Sequence, residues 1–199
     1  AHAAGKLVVL GGPSVSAARE FYPEADLLHC GEAGDATLRL FEHLDLSVKR
    51  PPAQLVFRTG ERLNLTEFPC PAYHLAQLNR YMLGSIQFSS GCPFACEFCD
   101  IPALYGRKPR VKAPTQVLQE LDQLRAGGLD AVYFVDDNFI ANPNATLELL
   151  PHLATWQQAH GYPLRLACEA TLNLAGHPHI LELMREAFFV TVFCGIETP

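Results

Sequence analysis

The chain has 199 residues, 49% hydrophobic and 18% charged, with 14 Gly, 15 Pro, 7 Cys and a formal net charge of −6. That balance is too apolar for a disordered chain, and too acidic for a protein whose main work is gripping a nucleic-acid backbone. No apolar run reaches the ~18 residues of a membrane-spanning helix, and the Ala-rich start lacks the positive region and apolar length of a signal peptide. The cysteine count is odd, and Cys92, Cys96 and Cys99 crowd together. A secreted chain would spread an even number as a disulfide framework. A cytoplasmic, metal-binding protein is expected.

Leu7-Val8-Val9-Leu10, stopped by Gly11-Gly12-Pro13, has the form of a short buried strand of a parallel sheet. A helix is expected from Ser14 to Glu20 and a second strand at Leu27-Leu28. A further helix should start on an Asp35 cap, with Leu38, Phe41 and Leu44 on its inner face. Strand, glycine turn, helix, strand, helix is the pattern that ends a doubly wound domain. Two strands make no core alone, so residues 1–46 are expected to be the C-terminal part of a Rossmann-like domain. From 47 to 82 the pattern weakens to a linker. Thr59-Gly60 is expected to turn a hairpin between 54–58 and 62–65, and Pro69-Cys70-Pro71 breaks the chain before a short helical stretch at 73–80.

After Leu83 a strand–helix repeat begins. Residues 85–89 alternate polar and apolar, as a strand with two different faces should. Ala113-Pro114 opens a helix with Val117, Leu118, Leu121 and Leu124 as its apolar stripe, closed by Gly127-Gly128. A strand over 131–135 follows. Asn142-Pro143 then starts a helix with Leu147, Leu150 and Leu153 facing inward, and a bend is expected at Pro151. A strand at 164–168, a helix at 180–187 and a strand at 189–196 complete the series. Four strands with three intervening helices give an α/β fold with a parallel sheet or part of a barrel, residues 83–199, expected to continue beyond the chain.

The string Gly91-Cys92-Pro93-Phe94-Ala95-Cys96-Glu97-Phe98-Cys99 places three thiols at C-x3-C-x2-C, directly after the first strand of the repeat. Thiolates are soft ligands suited to iron–sulfur clusters or zinc. Structural zinc wants a fourth ligand, and neither Asp100 nor a neighbouring His completes a usual set. A dithiol redox pair would use Cys96 and Cys99 and leave Cys92 without a task. Three sulfurs on a four-iron cluster leave one metal position open, the mark of a catalytic site. Parallel sheets and barrels place their chemistry at this end of a strand.

This motif, with an aromatic before its last cysteine, resembles the signature of the radical S-adenosylmethionine (SAM) enzymes. The strings Phe88-Ser89-Ser90-Gly91-Cys92-Pro93, Phe98-Cys99-Asp100-Ile101 and Tyr105-Gly106-Arg107-Lys108-Pro109-Arg110 extend the likeness. So do Phe134-Val135-Asp136-Asp137-Asn138 and Gly195-Ile196-Glu197-Thr198-Pro199. Together they resemble the subfamily with an N-terminal cobalamin-binding domain that includes the hopanoid methylases. The resemblance implies the first four strands of a radical SAM (β/α) barrel, preceded by the remnant of a Rossmann-like cobalamin-binding domain. It implies that Cys92, Cys96 and Cys99 hold a [4Fe–4S] cluster, with SAM on the fourth iron and Phe98 against its adenine. Asp136, Asp137 and Asn138 would meet the methionine amino group, and Glu169 and Glu197 the ribose hydroxyls. Turn formation or helix capping is the plainer role for the two aspartates, and exposure or ion pairing for the two glutamates. Gly11, Gly12, Gly31 and Glu32 match the turns that approach cobalamin in the family.

The Asp-x-His-x-x-Gly segment carrying the family's cobalt ligand is not in this sequence, so no cobalt ligand is assigned. Many relatives carry Arg where Ser90 stands and an acid where Gly34 stands. Arg107, Lys108 and Arg110 read as a solvated basic loop. The activity implied is reductive cleavage of SAM to a 5′-deoxyadenosyl radical for cobalamin-dependent methylation of an unactivated carbon in a small-molecule or lipid-like substrate. A flavodoxin or ferredoxin would donate the electron. Cyclisation, methylthiolation or rearrangement by the same core is the alternative, and a non-catalytic iron–sulfur or zinc protein the alternative from another class.

Overall fold

The apolar run near the start of the chain becomes the edge of a parallel sheet. Strands β1 (Val9–Gly11), β2 (Leu27–Cys30) and β3 (Leu55–Arg58) lie in that order, with Leu28 facing Leu10 on one side and Val56 on the other. In the computed structural model, which describes residues 1–196, this sheet belongs to a first unit made of Ala1–Leu63 and Ala103–Tyr105. The second unit starts at Asn64.

The expected hairpin after residue 54 is absent. Residues 55–58 instead pair with the parallel neighbour β2, and this pairing is flanked by Leu55 N–H on Asp26 O at 3.0 Å and Thr59 N–H on Cys30 O at 2.9 Å. Arg62 makes only an isolated antiparallel bridge with Gly34. The stretch 47–82, expected to be a linker, is therefore shared out: β3 completes the first sheet, and the residues from Asn64 belong to the second unit.

Helix α1 (Pro13–Ala17) is shorter than expected. Helix α2 (Asp35–Leu46) buries Ala36 and Leu40, while Leu38 and Phe41 stay exposed, so its inner face is offset from the expected one. Its start is also built differently. Thr37 Oγ1 accepts the Gly34 N–H at 3.0 Å, and the Asp35 carboxylate turns away to accept Gly60 and Glu61 N–H at 2.9 and 3.0 Å. Val15, Ala25, Leu28 and Cys30 form the small core. At its margin the buried Asp26 accepts Val8 N–H at 2.8 Å, His2 Nε2 at 2.9 Å and Arg50 Nε at 2.8 Å. Burial pushes that carboxyl up, but the Val8 amide, Arg50 and His2 outweigh it and bring its pKa down to about 2.

The second unit opens with β4 (Gly84–Ile86). The expected alternation holds as far as the buried Phe88, but the parallel strand ends at Ile86, and β5 (Ser89–Ser90) turns aside to pair antiparallel with a returning segment. A loop carrying one helical turn, α3 (Ile101–Leu104), leads to that segment, β6 (Arg110–Val111). Then come α4 (Pro114–Ala126), β7 (Ala131–Phe134), α5 (Pro143–Ala159), β8 (Arg165–Glu169), α6 (Pro178–Glu186) and β9 (Phe189–Phe193). Strands β4, β7, β8 and β9 form one parallel sheet in that order, with Ile86 beside Phe134 and Val132 beside Leu166.

The punctuation seen in the sequence sets these elements. Asn142 caps α5 by accepting Ala145 N–H at 3.3 Å, and the helix continues unbroken past Pro151. Leu121 and Leu124 of α4, Leu149, Leu150 and Leu153 of α5, and Ile180 of α6 bury against Val132, Phe134 and Leu166 of the sheet. Each such side chain contributes about 1.5–3 kcal/mol of transfer free energy. Phe139 packs edge-on to Phe134 at 5.2 Å between centroids and lies 5.1 Å from Phe189. The result is an α/β fold with parallel sheets, whose second sheet is a run of βα units in sequence order.

Candidate metal centre and its surroundings

The cysteine loop leaves the sheet between β5 and β6, and that short antiparallel pair closes its base, Ser89 opposite Val111 and Ser90 opposite Arg110. Inside it, Cys92 N–H donates to Gly106 O at 3.1 Å, Cys99 N–H to Cys96 O at 3.1 Å, and the Arg107 guanidinium to Pro93 O at 3.2 Å. Gly91 takes φ +95°, a left-handed backbone that favours glycine. Its turn swings the chain from β5 into the loop.

Cys92, Cys96 and Cys99 are all free thiols, partly or fully exposed. Burial pushes the Cys92 thiol up, and the neighbouring Cys99, Asp137 and Cys96 push it further, against the pull of the Phe94 amide. The three cysteine side chains are not drawn to metal-bond distance: among the described residues no three His, Cys, Asp or Glu groups are. The donor set nevertheless fits a cluster, being three unpaired soft ligands on one polar-backed loop. Phe98 is 68% exposed beside them, and Phe94 is also exposed. Phe94, Ala95 and Cys96 border an open cavity of about 320 Å³ with Thr171 and Asn173, which follow β8.

The carboxylates after β7 do more structural work than the sequence suggests. Asp136 is only 2% exposed. Its Oδ1 accepts Phe88 N–H at 2.9 Å and also the N–H of Ser89, tying the end of β7 to the segment between β4 and β5. Burial lifts this carboxyl to about 7 against the pull of those two amides. Asn138 is buried as well; its Oδ1 accepts Ile140 N–H at 3.3 Å and its Nδ2 donates to Thr171 Oγ1 at 3.2 Å. Both side chains are thus turned into the fold. Asp137 Oδ2 accepts the N–H of Gly91 at 3.1 Å.

Glu169, at the end of β8, is exposed and accepts the Tyr133 hydroxyl at 3.1 Å. Burial and Glu169 raise that phenol to about 12. Tyr133 and Glu169 alternate with the buried Phe134 and Cys168, which places them on the sheet face away from the helices. Glu197 lies outside the described residues.

Sequence reasoning missed Lys112 and Glu120, a buried pair at 2.5 Å just past β6, together with Tyr73, whose hydroxyl reaches Glu120 at 3.0 Å. A lysine just before a helix and a glutamate in its middle carry no local signal of burial.

In the first unit, Gly12 at φ +107° and Gly31 at φ +100° end β1 and β2. Ser16 Oγ joins the two turns, donating to Gly12 O at 2.8 Å and accepting Gly31 N–H at 2.8 Å. Gly12, Gly31 and Glu32 border a cavity of about 220 Å³ with Leu104 and Tyr105. Gly11 lies beside it along β1, where an added Cβ would meet His29 at 3.4 Å. Arg62 pairs with Glu32 at 3.2 Å and donates to Leu104 O and Tyr105 O at 2.8 and 2.9 Å. That volume is below the ~300–1,000 Å³ of sites for drug-sized ligands.

The family model described as the radical SAM superfamily matches residues 86–199. The hopanoid C-2 methylase of Rhodopseudomonas palustris (strain TIE-1) is 61% identical over 193 residues, covering 96% of this chain and 37% of that protein. An uncharacterized methyltransferase of Synechocystis, sll1242, is 45% identical over 202 residues, covering 100% of this chain and 37% of its own length. The chain thus spans 37% of the length of these two curated relatives. Among solved structures, the cobalamin-dependent SAM radical enzyme OxsB, with aqua-cobalamin and SAM bound, aligns with a TM-score of 0.72. The alignment covers 96% of this chain and 31% of that one at 21% identity, a likeness of fold. No helix among the described residues is long and apolar enough to cross a membrane. The family model follows the chain from β4 through the cysteine loop and every later strand, and on that ground the chain belongs to the radical SAM superfamily.

Proposed function

We propose that this protein is a cobalamin-dependent radical SAM methylase acting on an unactivated carbon of a lipid-like, hopanoid-type substrate. The observation that carries the reading is the set of three free thiols on one loop that follows the parallel strand β4 and is closed at its base by the antiparallel pair β5–β6. The similarity to a hopanoid C-2 methylase supports the choice of reaction. When bound, the cluster and SAM supply a 5′-deoxyadenosyl radical that takes hydrogen from carbon, and cobalamin supplies the methyl group.

The chain's own residues bind and position. Cys92, Cys96 and Cys99 hold the cluster. Phe98 offers an exposed ring to the adenine, and Glu169, held by the Tyr133 hydroxyl, offers a carboxylate to hydroxyl groups. Glu197 takes the same role. Val135 and Phe193 remain exposed near Glu169, and an apolar wall suits an apolar substrate. Gly11, Gly12, Gly31 and Glu32 receive the cobalamin tail. The protein works in the cytoplasm and takes its electron from a flavodoxin or ferredoxin.

The test is product analysis on the full-length protein, reduced without air and supplied with SAM, with and without cobalamin. The expected outcome is 5′-deoxyadenosine together with a methylated hopanoid that needs cobalamin. Cleavage of SAM with no transferred methyl would replace methylation by cyclisation, methylthiolation or rearrangement. One zinc per chain and no cleavage would overturn the enzyme reading.

A further inference from the structure

We propose that Asp137 is a positioning residue for the cysteine loop, holding the main chain that carries Cys92 through the Gly91 N–H rather than receiving the ammonium of SAM. The inference rests on the proposed cluster and deepens that reading.

Three observations converge on it. Asp137 Oδ2 accepts Gly91 N–H at 3.1 Å, one residue before the first cysteine. Gly91 is the point where the chain turns through φ +95° out of β5, so its amide direction sets the course of the loop. The adjoining residues are braced by the same strand end: Asp136 accepts the amides of Phe88 and Ser89. On the far side, Lys112 N–H donates to Phe88 O at 2.8 Å, and the Lys112 ammonium is anchored on Glu120 of α4.

Two consecutive aspartates thus take three amides along the approach to Cys92. A carboxylate accepting backbone N–H bonds fixes a loop as a helix cap fixes a helix end, with charge-assisted bonds about twice as strong as neutral ones. Groups that orient metal ligands in this way cost about 10–100-fold in metal affinity or activity when removed.

Asparagine keeps an acceptor oxygen for the Gly91 amide but carries no charge for an ammonium. The two roles therefore separate on the Asp137→Asn variant. The experiment compares wild type, Asp137→Asn, Asp137→Ala and Asp137→Ser as full-length proteins reconstituted without air. It reads iron retained after gel filtration, the spectrum of the reduced cluster by electron paramagnetic resonance, and SAM affinity by equilibrium dialysis.

The expected result is that Asp137→Asn keeps iron and SAM affinity within about twofold of wild type, whereas Asp137→Ala and Asp137→Ser lose iron by about tenfold or more on competition with a chelator. The Ser variant carries the test if the Ala variant does not fold. A tenfold or larger loss of SAM affinity in Asp137→Asn with a normal cluster would overturn the inference and return Asp137 to the ammonium. Normal iron retention in Asp137→Ala would overturn it as well. Wild type that takes up no cluster would overturn the parent reading, a result distinct from both.

Discussion

The buried pair Lys112–Glu120 gives the sharpest test of what holds the second unit together. Lys112 is 6% and Glu120 1% exposed, and their 2.5 Å contact joins the segment after β6 to α4. Lys112→Met removes the cation and leaves a carboxylate in the interior. Removing one partner of a buried pair costs about 3–5 kcal/mol. The Tyr73 hydroxyl at 3.0 Å still satisfies one oxygen of Glu120, which places the cost near the lower end, about 3 kcal/mol. Against a total stability of about 5–15 kcal/mol, that is a large fraction. It corresponds to a fall of roughly 10 °C in melting temperature.

Adding Glu120→Leu removes the stranded charge and brings stability back to within ~1 kcal/mol of wild type, since Tyr73 keeps its bond to Ser85 O at 2.9 Å. Trp156 is the single tryptophan and is buried in α5, so its fluorescence during urea unfolding reports this unit. A Lys112→Met protein as stable as wild type, or a double variant no better than the single one, would refute the reasoning.

Three other outcomes follow from named contacts. The folded pKa of Asp26 near 2 lies below its unfolded value of 3.8, so its contribution is complete above the unfolded value and drains away as pH falls through about 4 to 2. The protection of the Leu27 amide against hydrogen exchange, taken relative to the intrinsic rate at each pH, should fall over that window in wild type and stay constant in Asp26→Asn. Asp136 has the opposite sign: a folded pKa of about 7 above the unfolded 3.8 means that stability falls as pH rises from about 4 to 7. Asp136→Asn, which keeps the acceptor for Phe88 and Ser89, should therefore gain on wild type across that range in urea titrations, and an equal gain at pH 4 would contradict the assignment. Finally, a Cβ on Gly34 would sit 2.0 Å from Glu61 O. Gly34→Ala should destabilise the first unit by about 1–3 kcal/mol, read as faster proteolysis or exchange confined to residues 1–63.

The second sheet was legible because its signals are local. Asn142-Pro143, Ala113-Pro114 and Gly127-Gly128 bracket helices whose apolar stripes repeat at helical spacing, and the strands between them are short and apolar. The first unit was harder to read. Leu55-Val56-Phe57 followed by Thr59-Gly60 has the local form of a hairpin arm, and only β2, far back in the chain, makes it a parallel strand. Leu38, Phe41 and Leu44 form a good helical stripe, yet the sheet contacts Ala36 and Leu40. At the candidate site, the crowding of three free cysteines on one loop was legible from spacing alone. Asp136 and Asn138 were expected to meet SAM, but each is buried on partners supplied by another strand end. A side chain accepting amides 48 residues away leaves no trace in residue order. Glu120 is hidden for the same reason, being a core residue only because Lys112 is brought to it.

The central claim is that Cys92, Cys96 and Cys99 hold a four-iron cluster with one corner open to SAM. Mössbauer spectroscopy on anaerobically reconstituted protein measures it most directly, with Cys96→Ser alongside. The expected result is about four irons and four sulfides per chain, one iron changing its signal when SAM is added, and loss of the cluster in Cys96→Ser. A colourless protein with freely titrating thiols, or a full cluster in which no iron responds to SAM, would contradict it.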